Sequence, residues 1–201
     1  QPGVRTALAI AVILAVLQQV TGINAVMYYA PTIFRGSGVE MSAAQALLQT
    51  VAVQAVNLLF TLVAIWIVDR GGRKPLLLAT SAAMGISLVL LGFAFQQHLS
   101  PPWIFGFTLL YTASFAIAMG PVVWVVLSEI FPTRIRGRAM AIATVALWIA
   151  CFGISQTVPM MFESIGQAAT FWTYGVMCAV SLLFVWRFVP ETKGKTLEEI
   201  E

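Results

Sequence analysis

The sequence QQVTGINAVMYY, residues 18–29, places hydrogen-bonding side chains inside a run that carries no charge from residue 6 to residue 34. An amide group both donates and accepts hydrogen bonds, as a hydroxyl group does. The flat ring of a tyrosine or tryptophan packs against apolar C–H faces. Neutral amides beside aromatic rings therefore suit an uncharged ligand that carries several hydroxyl groups.

Gly22, next to Thr21 in the middle of this segment, predicts a break in the helix. In a straight helix Asn24 would lie about 120° round the axis from Gln18, so the two amides could not face one ligand. Glycine tolerates altered backbone angles, and neighbouring polar groups can satisfy the freed amides. Secondary transporters use helices broken at mid-membrane depth to form a substrate site. We expect the amides to converge only if the helix unwinds near Gly22.

A polar stripe lies in the second apolar segment, where four polar residues are spaced 4, 3 and 4 residues apart and so share one helix face. These residues are Thr50, Gln54, Asn57 and Thr61. A polar stripe in a membrane helix either holds helices together or lines a wet cavity. The spacing alone leaves both interpretations open.

The segment GPVVW, residues 120–124, combines a predicted kink with an aromatic ring. Pro121 removes a backbone hydrogen bond, and Gly120 permits the chain to bend. Trp124 would then lie deeper than the tryptophans that mark a membrane interface. Trp148, in the fifth apolar segment, is a second ring of this kind. Each ring either packs between helices or faces a ligand, and the sequence position does not decide between the two.

Composition assigns the chain to the membrane. Of its 201 residues, 60% are hydrophobic and only 9% are charged, which excludes an ordinary soluble domain. The charge-free runs exceed the roughly 20 residues that span a bilayer core, and a turn at 98–102 divides the longest run. The sequence predicts an all-α membrane protein, a six-transmembrane-helix bundle with a polar tail over 189–201. The predicted helices lie at about 6–34, 42–68, 76–97, 103–128, 139–162 and 167–188.

The basic residues predict the orientation of the bundle. When six helices are threaded back and forth, ten of the eleven Lys and Arg residues fall on one side, and only Arg35 falls on the other. Cytoplasmic loops carry such an excess, so we expect both ends of the segment to be cytoplasmic. The net charge of +3 is then a topology signal and does not indicate nucleic-acid binding.

The sequence does not favour an enzyme, a metal site or a bound cofactor. No nucleophile, base and orienting group cluster at one depth. Cys151 and Cys178 fall inside predicted helices, where a small buried residue is expected rather than a disulfide or a metal ligand. No Asp, Glu, Lys or Arg lies at mid-membrane depth. A proton relay normally needs a buried ionisable group, so any proton carrier lies outside this segment.

Two segments at predicted helix ends mix acidic and basic residues: VDRGGRKP, residues 68–75, and SEIFPTRIRGRAM, residues 128–140. In a bundle that rocks between two states, Asp69 and Glu129 could pair with nearby arginines in one state and separate in the other. The alternative is that these charges only set the topology. The sequence leaves both interpretations open.

Four motifs in order along the chain, QQVTGIN, VDRGGRKP, GPVVWVVLSEIFPTRIRG and VPETKGKT, resemble the C-terminal half of sugar porters of the major facilitator superfamily. YYAPTIF and FVPETKGKTLEEIE are most similar to the bacterial D-xylose–proton symporters, and the facilitative glucose transporters are also similar. The resemblance implies a fragment that forms one half of a twelve-helix major facilitator fold. The implied function is monosaccharide transport of the xylose or glucose type by alternating access, with sugar–proton symport.

The resemblance also implies the partners and the location of the protein. The partners are a monosaccharide, a proton, the lipid bilayer and the N-terminal six-helix half of the same carrier. The location is the cell membrane, in bacteria the inner membrane. Two alternatives remain: a carrier of a cyclitol or another neutral polyol, and a sugar sensor of the same fold that does not transport.

The site residues follow from the same resemblance. The sugar-binding residues, which include a pair of gating tyrosines, are Gln18, Gln19, Asn24, Tyr28, Tyr29, Asn57, Gly120, Trp124 and Trp148. The inner salt-bridge motifs, which stabilise the outward-facing state, comprise Asp69, Arg70, Arg73, Glu129, Arg134, Arg138 and Glu191. Leu147 stands where sugar carriers usually have an amide, and we expect it to alter the selectivity among hexoses and pentoses.

Overall fold

The structure, a computed structural model, describes residues 2–35 and 42–193. Within these two ranges every regular element is helical. The elements are α1 (Pro2–Val20), α2 (Ile23–Arg35), α3 (Ala43–Gly71), α4 (Arg73–Gln96), α5 (Pro101–Ser114), a π-helical segment (Phe115–Met119), α6 (Pro121–Glu129), α7 (Thr133–Ser164) and α8 (Gly166–Phe188). The predicted polar tail continues over residues 194–201, which lie outside the described residues.

Six stretches of the described chain are long and apolar enough to cross a bilayer. They are Gly3–Arg35, Ala43–Gly71, Arg73–Gln96, Pro101–Glu129, Thr133–Ser164 and Gly166–Phe188. The first stretch contains both α1 and α2, and the fourth contains α5, the π-helical segment and α6. The prediction of an all-α bundle with six membrane-length spans is confirmed.

Several helices extend further than the charge-free runs indicate. Helix α7 begins at Thr133, whereas the sequence predicts a start at about 139, and α3 ends at Gly71 rather than at about 68. A charge-free run stops at the first charged side chain, but the backbone does not. Lys and Arg keep their charged groups in water while their stems follow the helix surface, so a helix can continue past the apolar core.

The first helix break lies at Gly22, as the sequence predicts. Helix α1 ends at Val20 and α2 begins at Ile23, and between them Gly22 has a φ of +94°. A Cβ atom at position 22 would lie 2.7 Å from Cγ of Tyr174. Both the positive φ and the close ring require glycine at this position.

The second break lies where the sequence predicts a kink, at residues 120–121. The chain is π-helical from Phe115 to Met119, and the amide of Gly120 donates to the carbonyl of Phe115 at 2.9 Å. Pro121 then opens α6. The π-helical geometry was not predicted, but such segments are frequent at functional sites.

Helix packing brings the two breaks together. Helix α1 packs along α7, and the π-helical segment packs against both α3 and α4. Helix α8 packs along α4, where a Cβ atom on Gly85 would lie 3.3 Å from Cβ of Cys178. Small residues at such crossings let helix backbones approach closely, which fixes the scaffold that surrounds the breaks.

Candidate functional site

A cavity of about 410 Å³ lies beside the two helix breaks. Small-molecule sites typically measure roughly 300–1,000 Å³. The lining comprises Gln18, Gln19, Ile23, Asn24, Met27, Tyr28, Gln54, Asn57, Phe115, Gly120, Trp124, Leu147 and Trp148. Among these lining residues there is no Asp, Glu, Lys or Arg. The cavity is therefore polar through neutral amides and apolar through aromatic and aliphatic side chains.

Eight of the nine predicted sugar-binding residues line this cavity, and Tyr29 does not. The hydroxyl of Tyr29 donates to the carbonyl of Ser155 at 2.7 Å, and its ring packs edge-to-face against Phe162. Successive residues of a helix point about 100° apart, and this rotation directs Tyr29 to α7, where Ser155 and Phe162 lie. Tyr28 lies in the cavity wall, whereas Tyr29 holds α2 against α7.

The amides at the first break form a directed chain of hydrogen bonds. Nε2 of Gln18 donates to the carbonyls of Met119 at 2.7 Å and Gly120 at 3.1 Å, across the second break. Nε2 of Gln19 donates to Oε1 of Gln18 at 3.4 Å, and Nδ2 of Asn24 donates to Oε1 of Gln19. Backbone carbonyls can only accept, so they fix the direction of the whole chain.

The free end of this chain is the side-chain carbonyl of Asn24. Nδ2 of Asn24 is also 3.1 Å from Sγ of Cys151, so the nitrogen side of the amide has two partners. Oδ1 accepts no hydrogen bond from the described residues, and it is not one of the buried polar atoms that lack a partner. Asn24 therefore presents an acceptor to the cavity, where a ligand hydroxyl could donate to it.

The polar stripe on α3 divides between two roles. The hydroxyls of Thr50 and Thr61 donate to carbonyls of their own helix, Ala46 at 2.8 Å and Asn57 at 2.7 Å. Gln54 and Asn57 line the cavity. Gln54 was not among the predicted site residues, although its spacing of three residues from Asn57 on one face was a signal that could have identified it.

The apolar part of the wall comes from several helices. Trp124 on α6 and Trp148 on α7 both line the cavity, and Leu147 is adjacent to Trp148 and only 5% exposed. Ile23, Met27 and Phe115 complete the wall and were not predicted. An apolar residue in a membrane helix carries no sequence signal that distinguishes a cavity wall from a packed core.

The two ion pairs of the described chain lie at one end of the bundle, and both involve Arg73. Its guanidinium is 2.9 Å from Oε1 and 3.3 Å from Oε2 of Glu129, and 3.5 Å from Oδ1 of Asp69. Thr192, beyond the last helix, donates to Oε2 of Glu129. These bonds connect the ends of α3, α4 and α6 to the segment that follows α8.

Glu191 caps the first turn of α4 through its side chain. Its carboxylate accepts from the amides of Arg73 at 3.0 Å, Lys74 at 3.1 Å and Lys193 at 2.9 Å. Burial by itself would raise the pKa of Glu191, but these backbone donors outweigh burial and hold the pKa below its ordinary value. A carboxylate at a helix N-terminus is also favoured by the helix dipole.

Three of the four predicted arginines of the inner salt-bridge motifs are exposed: Arg70, Arg134 and Arg138. In residues 2–35 and 42–193 both ion pairs involve Arg73, so these three arginines pair with no described carboxylate. The side chain of Lys193 donates to the backbone carbonyl of Arg70 at 2.7 Å, and this contact does not involve the guanidinium of Arg70. The predicted motif thus separates into a paired group around Arg73 and an unpaired group on the surface.

A bundle of six membrane-length helices with a neutral cavity beside two broken helices is the architecture of a membrane carrier. The chain matches the family model described as "Sugar (and other) transporter" over residues 1–201, and it belongs to this family. The resemblance to sugar porters is confirmed. The family consists of transporters, not enzymes.

Two curated relatives are bacterial symporters. The chain is 48% identical over 200 residues to the D-xylose-proton symporter of Escherichia coli (strain K12), an alignment that covers 96% of this chain and 40% of that protein. It is 42% identical over 202 residues to the arabinose-proton symporter of Bacillus subtilis (strain 168), covering 100% of this chain and 43% of that protein. The chain therefore spans about two fifths of the length of these relatives.

A solved structure gives the same fold. The proton:xylose symporter XylE, bound to 6-bromo-6-deoxy-D-glucose, superposes with a TM-score of 0.86 at 45% identity, over 96% of this chain and 42% of XylE. The chain thus has the fold of one half of a major facilitator protein. Together with the six spans, this similarity makes it part of a multi-pass membrane protein.

Proposed function

We propose that this chain forms the C-terminal six-helix half of a carrier for neutral monosaccharides, which works by alternating access and sugar–proton symport. The observation that carries the proposal is the uncharged cavity of amides and tryptophans beside the two helix breaks. The xylose and arabinose symporters among its relatives support a pentose or a similar sugar as the substrate.

The polarity of the lining favours a polyhydroxylated neutral ligand. Oδ1 of Asn24 is available as an acceptor, and the amides of Gln54 and Asn57 can both donate and accept. The rings of Trp124 and Trp148 offer flat faces to the C–H groups of a sugar ring. A charged ligand would lose its hydration and gain no ion pair in this lining, which is strongly unfavourable.

The cavity is open on one side, which supports a site shared with a second half. Tyr28 is 56% exposed and Trp148 is 60% exposed, although both line the cavity. The N-terminal six-helix half of the intact carrier would cover these side chains. The sugar would then bind between the two halves, near the midplane of the bilayer.

Proton coupling would depend on that other half. None of the residues that line the cavity is acidic or basic, and the described Asp and Glu residues nearest to it in sequence lie at helix ends. An intramembrane carboxylate in the N-terminal half would therefore carry the proton. Substitutions in the cavity described above would change sugar affinity and leave the pH dependence of transport unchanged.

The charged end of the bundle would face the cytoplasm. The unpaired arginines Arg70, Arg134 and Arg138 are available to carboxylates of the N-terminal half, and such pairs could stabilise the outward-facing state. With this orientation both ends of the chain are cytoplasmic and the carrier lies in the bacterial inner membrane.

The proposal is tested by uptake of labelled D-xylose into proteoliposomes that contain the intact carrier, with and without a proton gradient. D-glucose and D-glucuronate form a matched pair of competitors, since they share a ring and differ in one carboxylate. We expect saturable uptake, acceleration by the gradient, and competition by D-glucose at concentrations at least about tenfold lower than by D-glucuronate.

Each part of the proposal has its own contrary result. Equal competition by D-glucuronate would contradict a site for neutral ligands. Inhibition by myo-inositol alone would assign the carrier to cyclitols. Uptake that a proton gradient does not change would contradict symport and leave facilitated transport.

A further inference from the structure

The first helix break is supported from its buried side by a tyrosine that does not line the cavity. The hydroxyl of Tyr111, on α5, donates to the carbonyl of Thr21 at 3.0 Å. Both residues are 0% exposed. Tyr111 lies about one turn before the π-helical segment, so this hydrogen bond joins the first break to the helix that contains the second.

The carbonyl of Thr21 needs this donor because the break removes its usual partner. In a continuous helix the backbone amide of residue 25 would donate to this carbonyl. At the break, the amides of Thr21, Gly22 and Val26 donate instead to the carbonyls of Leu17, Gln19 and Gly22, respectively. None of these bonds reaches the carbonyl of Thr21. A buried carbonyl without a donor is unfavourable. The hydroxyl of Tyr111 therefore replaces the missing helical amide.

The hydrogen bonds of Tyr111 and Gln18 brace the two breaks in opposite directions. On the cavity side, Gln18 of the first break donates to the carbonyls of Met119 and Gly120 in the second. On the buried side, Tyr111, about one turn before the π-helical segment of the second break, donates to the carbonyl of Thr21 in the first break. Each break thus supplies an acceptor to the other, and the relative position of the breaks is fixed on both sides.

We propose that Tyr111 is a positioning residue for the sugar site: its hydroxyl holds the break at residues 21–22 in the geometry that turns Gln18, Gln19 and Asn24 toward one cavity. This inference rests on the proposed function. Without the hydroxyl, the chain at the break moves until the carbonyl of Thr21 finds another donor. The amides on either side of the break then no longer converge on the ligand, and sugar affinity falls.

Tyr174 provides a matched control in the same region. It is buried, and its ring lies directly against Gly22 at the same break. Its hydroxyl, however, has no hydrogen-bond partner among the described residues. Tyr111→Phe and Tyr174→Phe therefore both remove a buried hydroxyl beside the break, and only the first removes a hydrogen bond to it.

The test compares wild type, Tyr111→Phe and Tyr174→Phe in the intact carrier, by the half-saturation concentration and the maximal rate of D-xylose uptake and by thermal stability. We expect Tyr111→Phe to raise the half-saturation concentration about tenfold, which corresponds to about 1.4 kcal/mol, while Tyr174→Phe leaves it unchanged. A merely structural role would lower the maximal rate or the melting temperature without changing the half-saturation concentration.

An unchanged half-saturation concentration in Tyr111→Phe overturns the inference, as does an equal increase in both variants. If Tyr111→Phe fails to fold, the same comparison is made between 4-fluorophenylalanine and 4-aminophenylalanine at position 111. These side chains fill the space of the hydroxyl and differ in the donor, so only the amino group should restore affinity. Wild type without saturable sugar uptake would refute the proposed function instead, and the two failures are thereby distinguished.

Discussion

Leu147 is a buried aliphatic residue in a cavity wall that also contains several amides. It lines the cavity beside Trp148 on α7, and the amides of Gln18, Gln19 and Asn24 already bond to one another or to the backbone. A ligand hydroxyl placed against Leu147 would lose its hydrogen bond to water and gain none. The residue therefore favours a ligand that presents a C–H face there.

Leu147→Gln is predicted to change the ranking of competing sugars. An added amide supplies one hydrogen bond, a difference on the order of 1 kcal/mol, so affinity should rise several-fold for the sugar that directs a hydroxyl toward position 147. Competition of D-xylose uptake by a panel of hexoses and pentoses measures the ranking. Leu147→Met, which conserves volume and adds no amide, should keep the wild-type order. The same order in Leu147→Gln would show that this position does not set selectivity.

At the residue scale, the sequence indicates which polar side chains line the cavity better than it indicates the direction in which each side chain points. The amides at 18, 19, 24 and 57 line the cavity because a membrane helix retains few amides without a partner or a ligand. Tyr29 instead bonds to the backbone of α7, because one further position rotates it by about 100°, and a motif does not state how far round the helix a cavity extends. Tyr111 carries no signal at all, since its acceptor is a backbone carbonyl ninety residues away.

The N-terminus of α4 depends on a side chain from the far end of the described chain. Glu191 accepts from the first two amides of this helix, and Gly72 before them has a φ of +80°. A Cβ atom at position 72 would lie 2.8 Å from Oε2 of Glu191. The turn between α3 and α4 is thus shaped to admit this carboxylate, which ties the segment after α8 to the turn.

The cap makes the stability of this end depend on pH. The pKa of Glu191 in the folded protein lies below its ordinary value of 4.5. The cap therefore contributes its full share to the free energy of unfolding above pH 4.5, and this share is lost as the pH falls through the folded pKa. Melting temperature measured from neutral pH to below 4.5 should therefore fall less steeply in Glu191→Gln than in wild type, starting from a lower value at neutral pH. Glu163→Gln, at the exposed end of α7, is the control and should follow wild type. Identical curves for all three proteins would exclude the cap as a source of pH dependence.

The two helix breaks differ in how far the sequence predicts them. The first break is predicted because Gln18 and Asn24 point in different directions on a straight helix and could face one ligand only if the helix unwinds at Gly22. The structure contains a break at Gly22. The second is marked by Pro121, which cannot donate a helical hydrogen bond. The π-helical turn before it has no comparable mark, because the bond from Gly120 to Phe115 is made by backbone groups alone.

Across the whole molecule, charge and polarity are separated. The cavity lining contains no Asp, Glu, Lys or Arg, and the two ion pairs of the described chain lie at one end of the bundle. Six spans could be predicted because long charge-free runs have few alternatives to a membrane helix. The sequence could not predict that one cavity is lined by residues of α1, α2, α3, α6 and α7. Composition and periodicity do not state which helices are neighbours.

The central claim is that the tryptophans of this cavity bind the sugar, and the direct test is the dissociation constant for D-xylose in the intact carrier. Trp124→Ala and Trp148→Ala remove cavity rings, whereas Trp66→Ala removes a ring that is 73% exposed on α3 and does not line the cavity. We predict that each cavity variant weakens binding about tenfold or more and that Trp66→Ala binds as wild type does. Equal affinity in all three folded variants would contradict the account.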